Sequence, residues 1–173
     1  VRVLSCELLV SLVSVGTLVS ATGEAATYYL RPPPDCSRNG DGTAYACAAS
    51  TGVSGAWNDW GSATAGIGAG DILRIDGTWI FSDINVVVVN GSAAARVRLT
   101  AYDPASPPLL RADIGTGPMY LLGDYVEIDH LRFANAIGNC LAIGREPDRI
   151  HRDLLFHDNR FERCENGVSF DYV

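Results

Sequence analysis

The chain contains no lysine: all 13 of its basic residues are arginine. No lysine can therefore act as a base or as a point-charge ligand for phosphate. The usual zinc frameworks are missing too, because no CxxC or HxxxH spacing occurs. Positive charge is scarce, with a formal net charge of −7 over 173 residues. A nucleic-acid surface needs a positive stripe, so no nucleic-acid partner is expected. The apolar run from Leu8 to Val19 is too short for a membrane span, and the mature chain is expected to carry none. Beyond Thr27 no stretch shows a helical stripe; "GAWNDWGSATAGIGAGD" has room for one short helical turn.

What is present suits a single domain with a core. Hydrophobic residues make up 47% and charged residues 19%, which is globular rather than disordered. Eighteen glycines fit many short strands joined by tight turns.

The amino terminus reads as an export signal. Arg2 precedes the apolar run, and "SATGEAAT" follows it with small residues at Gly23, Ala25 and Ala26. Cleavage is expected just before Thr27 or one residue earlier. Residues 1–26 are thus assigned to a signal peptide, and the mature protein to a secreted location, extracellular or periplasmic. Glu7 and an initial Val depart from the usual pattern, so an N-terminal strand or a retained anchor competes with this reading. Removing Arg2, Glu7 and Glu24 leaves 12 Arg against 18 acids, a charge of −6.

Cys6 would leave with that segment. Cys36 and Cys47 flank a loop rich in Gly, Asp and Asn, and are expected to bond. Cys140 and Cys164 fall at non-equivalent places in the repeat described next. They are expected to be small buried residues rather than a bonded pair.

From Asp71 onward, apolar residues alternate with polar ones. "ARVRLTAY" points Val97, Leu99 and Ala101 inward and Arg98 and Thr100 outward. "YVEIDHLRF" repeats this with Val126 and Ile128 inward, Glu127 and Asp129 outward. "DLLFHDNRF" does so again with Leu154 and Phe156. These are strands by period. The segments also match one another at fixed spacing. Leu154 follows Val126, Phe156 follows Ile128 and Phe161 follows Phe133 by 28 residues. Then one residue drops out: Asn166, Val168 and Phe170 follow Asn139, Leu141 and Ile143 by 27. Val97 precedes Val126 by 29. A period in the twenties with several short strands is the mark of a solenoid. An ordinary β-sandwich also alternates, but it does not require equal periods. The asparagine pair is expected to form a ladder at a bend, and Phe133 to stack on Phe161.

On these residues the chain resembles the right-handed parallel β-helix proteins of the pectin-lyase-like superfamily. "GAGDILRIDGTWIF", "VRLTAYDPASPPLLRA", "YVEIDHLRFANAIGNCLAIG" and "DLLFHDNRFERCENGVSF" look like successive coils. "TYYLRPPPDCSRNGDGTA" looks like the strand and loop that lead into the first coil. The resemblance implies an all-β solenoid of about four coils. Residues 27–70 would form the lead-in strand, disulfide loop and cap, and residues 71–173 the coils. The chain stops at "FDYV", where another strand would begin and no cap follows. An N-terminal portion of a longer helix is therefore expected. Enzymes of the superfamily mostly cleave acidic polysaccharides as lyases or hydrolases; other members are tailspikes, adhesins or surface proteins. No stretch matches a catalytic motif of the superfamily, so no catalytic residue carries over. A secreted protein that binds or processes polysaccharide is expected, with a non-catalytic structural or adhesive module as the alternative.

Stacking the coils gives candidate chemistry. Arg98, Glu127, Asp129 and His157 would form one outward column. A lyase acting on a uronate needs a cation to neutralise the carboxylate and a base to remove the adjacent proton. Asp129 and Glu127 offer hard oxygens for Ca²⁺, and His157 titrates near neutral pH. A solvated sheet face with weak charge pairs explains the same column. At the next bend His130 and Asp158 occupy matched places, with Arg132 and Arg160 beyond them. Arg145, Arg149 and Arg152, in "GREPDRIHRD", are candidates to grip carboxylates. Asn39 and Asp41 in "SRNGDGT" faintly echo a calcium loop, without its bidentate acid. Ca²⁺ is the only cofactor these residues suggest. Trp57, Trp60 and Trp79 suit either a plug over the end of the core or a surface for sugar rings.

Overall fold

The structure is a computed structural model, and it describes residues 25–113, 117–134, 137–144 and 151–170. Residues 1–24, with most of the expected export signal, lie outside the described residues, as do Arg145 and Arg149.

Strand β1 (Thr27–Leu30) comes first, and a loop then leads to helix α1 (Trp60–Gly66). Asp59 caps this helix by accepting the Ser62 N–H at 2.7 Å. Among the described residues, twelve strands follow in threes. The first triplet is β2 (Ile72–Ile75), β3 (Thr78–Phe81) and β4 (Val86–Val88). The second is β5 (Val97–Ala101), β6 (Leu109–Ala112) and β7 (Met119–Leu122). The third is β8 (Val126–Asp129), β9 (Arg132–Ala134) and β10 (Asn139–Ile143). The last is β11 (Leu155–His157), β12 (Arg160–Glu162) and β13 (Asn166–Phe170).

Each triplet adds one strand to each of three sheets. Their orders are β1-β2-β5-β8-β11, β3-β6-β9-β12 and β4-β7-β10-β13, and every pairing between these strands is parallel. The chain is thus mostly β, with strands stacked in parallel sheets, as a solenoid-like β-helix requires. The register follows the sequence repeat. Ile128 pairs with Phe156, Phe133 with Phe161, Asn139 with Asn166 and Val97 with Val126.

Between the sheets lies one apolar core. Leu73, Leu99, Ile128, Leu110, Phe133, Leu121 and Leu141 have no exposed surface. Burying a side chain of this size contributes about 2 kcal/mol relative to leaving it in water. Phe133 and Phe161 stack with ring centroids 5.3 Å apart and planes 10° from parallel. Asn166 donates its side-chain amide to the Asn139 side-chain oxygen at 3.0 Å, which completes the expected ladder. The tryptophans close the core rather than present faces to solvent. Trp57, Trp60 and Trp79 are each 6–7% exposed, and Trp60 meets Trp79 edge-on. In "INVVVVNG" the valines alternate, with Val87 and Val89 in the core and Val86 and Val88 about half exposed.

Two disulfides join the described residues. Cys36–Cys47 closes the loop after β1, as its position implied. Cys140–Cys164 is also bonded, which corrects the expectation of two separate small residues. The register of β10 on β13 sets Cys140 opposite Gly167, not Cys164. Cys164 instead sits in the bend after β12, where the chain turns inward, and its Cα comes within 5.6 Å of that of Cys140.

Candidate functional site

The outer face of the five-stranded sheet gathers the expected residues. Period-two alternation sends every second residue outward, and parallel register lines these up along the stack. One row reads Tyr29, Arg74, Thr100, Asp129, His157, and the next reads Ile72, Arg98, Glu127, Leu155. Five strands at about 4.8 Å make a track of about 19 Å.

Asp129 is the centre of the face, and the structure corrects its expected exposure. It points outward yet has no solvent-accessible surface. Neighbours cover it from three sides. Arg98 donates Nε–H and Nη2–H to its two carboxylate oxygens at 2.6 and 3.0 Å, a bidentate pairing. The Thr100 hydroxyl donates at 2.6 Å, and His130 Nδ1 lies 2.5 Å away. Burial alone pushes the Asp129 carboxyl up, but bonds from Arg98, Thr100 and His130 outweigh it and hold the group at about 2.

Glu127 and His157 line the more open side. Arg98 Nε stands 3.3 Å from Glu127 Oε1, and His157 Nε2 stands 3.3 Å from the same oxygen. The other ring nitrogen, Nδ1, meets Asp158 Oδ2 at 2.8 Å. Hydrogen bonding to Asp158 first, and then to Glu127, pulls the His157 imidazolium pKa upward. The site therefore favours the charged ring, and less of His157 stands as free base at neutral pH than for an isolated histidine.

Sharp bends aim the second acid–histidine pair. His130 and Asp158 both adopt the left-handed region, with φ of 55° and 54°. Both residue types are enriched in this conformation. In matched positions, Asp129 faces His157, and His130 precedes Asp158 by 28 residues. The two histidine rings meet edge-on at 6.3 Å.

Glu127, Asp129 and His157 bring one ligand atom each within 4.8 Å of one another, close enough to share a cation. The Arg98 guanidinium already supplies positive charge there. A hard cation would have to displace it from two Asp129 oxygens, so these residues as arranged do not fit Ca²⁺.

The remaining candidates lie elsewhere. Asp41 accepts from the Thr43 N–H and hydroxyl at 3.0 and 2.6 Å, which holds its pKa down and makes a turn. Asn39 accepts the Asn58 N–H and donates to Asp59 and Ser62. Both side chains tie the loop together. Arg152 is exposed, and its backbone N–H donates to Asp124.

One cluster was not anticipated. Tyr45, in the disulfide loop, stacks on Tyr102 at 3.8 Å and donates to Asp76 at 2.5 Å. The hydrogen bond to Asp76 and burial push the Tyr45 phenol up to about 12. Tyr29 meets both rings edge-on, and Arg31 covers the Tyr45 ring at 4.5 Å. These rings join residues far apart in the chain, and no local pattern announces them.

Comparison of the chain with protein-family models, with curated proteins and with solved structures finds no match.

Proposed function

We propose that the protein is an exported right-handed parallel β-helix of the pectin-lyase-like kind, and that its five-stranded face binds an acidic polysaccharide without cleaving it. The parallel rows of polar side chains carry the reading, because a track along the stack suits an extended polymer. Arg74 sits in the row that ends at His157 and meets no carboxylate among the described residues; its Nη1 donates only to the Tyr102 carbonyl, at 3.4 Å. It is the group on this face suited to a sugar carboxylate. Glu127 and His157 suit hydroxyls. Two disulfides agree with an oxidising compartment.

Separation favours binding over lyase chemistry. A lyase base removes the proton beside the carboxylate that its cation holds. Three strand spacings, about 14 Å, part Arg74 from His157. Arg98 is nearer, but its charge is spent on Asp129 and Glu127.

Affinity electrophoresis in gels containing pectate, alginate or chondroitin, with and without calcium, tests this. Retardation by at least one polymer, abolished in Arg74→Ala, is expected, with no rise in ultraviolet absorbance from unsaturated ends. Migration unchanged in all three gels rejects the binding reading, and an absorbance rise replaces it with a lyase.

A further inference from the structure

Sheet β3-β6-β9-β12 ends at β3, so β3 has one free edge. Leu109 N–H donates to the Gly77 carbonyl and Asp113 N–H to that of Phe81. In a parallel ladder with this phase, Trp79 and Phe81 turn their backbone groups toward β6. Thr78 and Ile80 therefore turn their N–H and C=O groups to the free edge. No backbone hydrogen bond from either to that side occurs among the described residues.

The chain had the opportunity to fill this edge. After β2 it passes through Asp76 and Gly77 into β3, and after β1 it passes through Arg31 into Pro32, Pro33 and Pro34. Pro32 lies against Gly77: a Cβ there would stand 2.6 Å from Pro32 Cγ, and Gly77 has φ of 76°. Three successive prolines offer no N–H, so this segment cannot donate to β3, and no backbone bond joins the two among the described residues. The space left behind is a pocket of about 470 Å³ between the prolines, Trp60, Phe81 and Asn85. Two buried donors among its lining residues, Trp60 Nε1 and Asn85 Nδ2, have no acceptor among the described residues. Among the described residues, Asp59 is its only charged lining residue.

We propose that this edge is a docking site for an extended peptide segment of a partner protein, added to β3 as a further strand. Thr78 and Ile80 supply main-chain hydrogen bonds at two-residue spacing, the period of an extended peptide. The pocket takes one apolar side chain. The acidic rim at Asp59 favours a basic residue beside it. Sugar is the poorer fit, because Trp60 and Trp79 are only 6% exposed and present little ring face for stacking. This site lies apart from the five-stranded face and does not depend on the polysaccharide reading.

The test uses the full chain and a fluorescent peptide of alternating valine and threonine that begins with arginine. A second peptide carries N-methyl groups on alternate backbone nitrogens along the pairing edge. Binding of the first at millimolar concentration or below is expected, with the methylated form weaker by at least about tenfold. Amide exchange at Thr78 and Ile80 should slow on binding. In Ile80→Pro, which removes an edge donor and no bond to β6, affinity should fall by about tenfold. Equal binding of both peptides, no binding of either, unchanged exchange at Thr78 and Ile80, or displacement of the peptide by oligosaccharide would each overturn the proposal.

Discussion

Asp129 faces His157 across β8 and β11, and their chain neighbours reverse the order: His130 follows Asp129, whereas Asp158 follows His157. Acid thus stands beside histidine along each strand and across the stack. Each imidazole has a carboxylate at Nδ1, at 2.5 Å for His130 and 2.8 Å for His157.

Asp129 ties this face to stability. Its pKa of about 2 lies below the ordinary 3.8, so its contribution is present above the ordinary carboxylate range and is lost as pH falls toward 2. The shift corresponds to about 2 kcal/mol. Asp129→Asn removes the bidentate partner of Arg98, leaving it only Glu127, and should cost about 3 kcal/mol in urea unfolding at pH 7. The loss should shrink in the wild-type/variant comparison as pH approaches 2.

His157 titrates in the opposite sense. Its pKa is raised, so the stability it adds is full below the ordinary histidine value and fades as pH rises through the raised one. Removing the partner by Asp158→Asn should lower the midpoint of the His157 ring signals in an NMR titration. A midpoint that rises or stays fixed contradicts the assigned pairing.

The aromatic stack should respond unequally. Phe133 is fully buried between β6 and β12 neighbours, whereas Phe161 lies in the last triplet and is only partly buried. Phe133→Ala should cost about 3–5 kcal/mol in chemical unfolding, and Phe161→Ala clearly less.

Both disulfides should appear in a non-reducing peptide map as Cys36–Cys47 and Cys140–Cys164. On chain-entropy grounds each contributes about 3 kcal/mol, with more from the longer loop. Cys164→Ser should therefore lower the melting temperature more than Cys47→Ser.

The repeat made the register legible, because inward residues such as Ile128 and Phe156 can share a core only at fixed separation. It also brought Arg98, Glu127, Asp129 and His157 together correctly. Burial of Asp129 was not legible: alternation gives a side chain's direction, not how far Arg98 and His130 fold over it. The Cys140–Cys164 bond was hidden because it crosses a bend where the strand period does not apply. Tyr45 reaches Tyr102 only through the disulfide loop, whose path no periodic pattern encodes. The free edge of β3 was likewise invisible, since it depends on where Pro32–Pro34 leave the stack.

The parallel, 28-residue register is the claim on which every site depends, and cross-strand NOEs measure it most directly. Contacts pairing Ile128 with Phe156 and Phe133 with Phe161 in the parallel pattern are predicted. Close Hα–Hα contacts of antiparallel type between β8 and β11, or no contact between these strands, would contradict it.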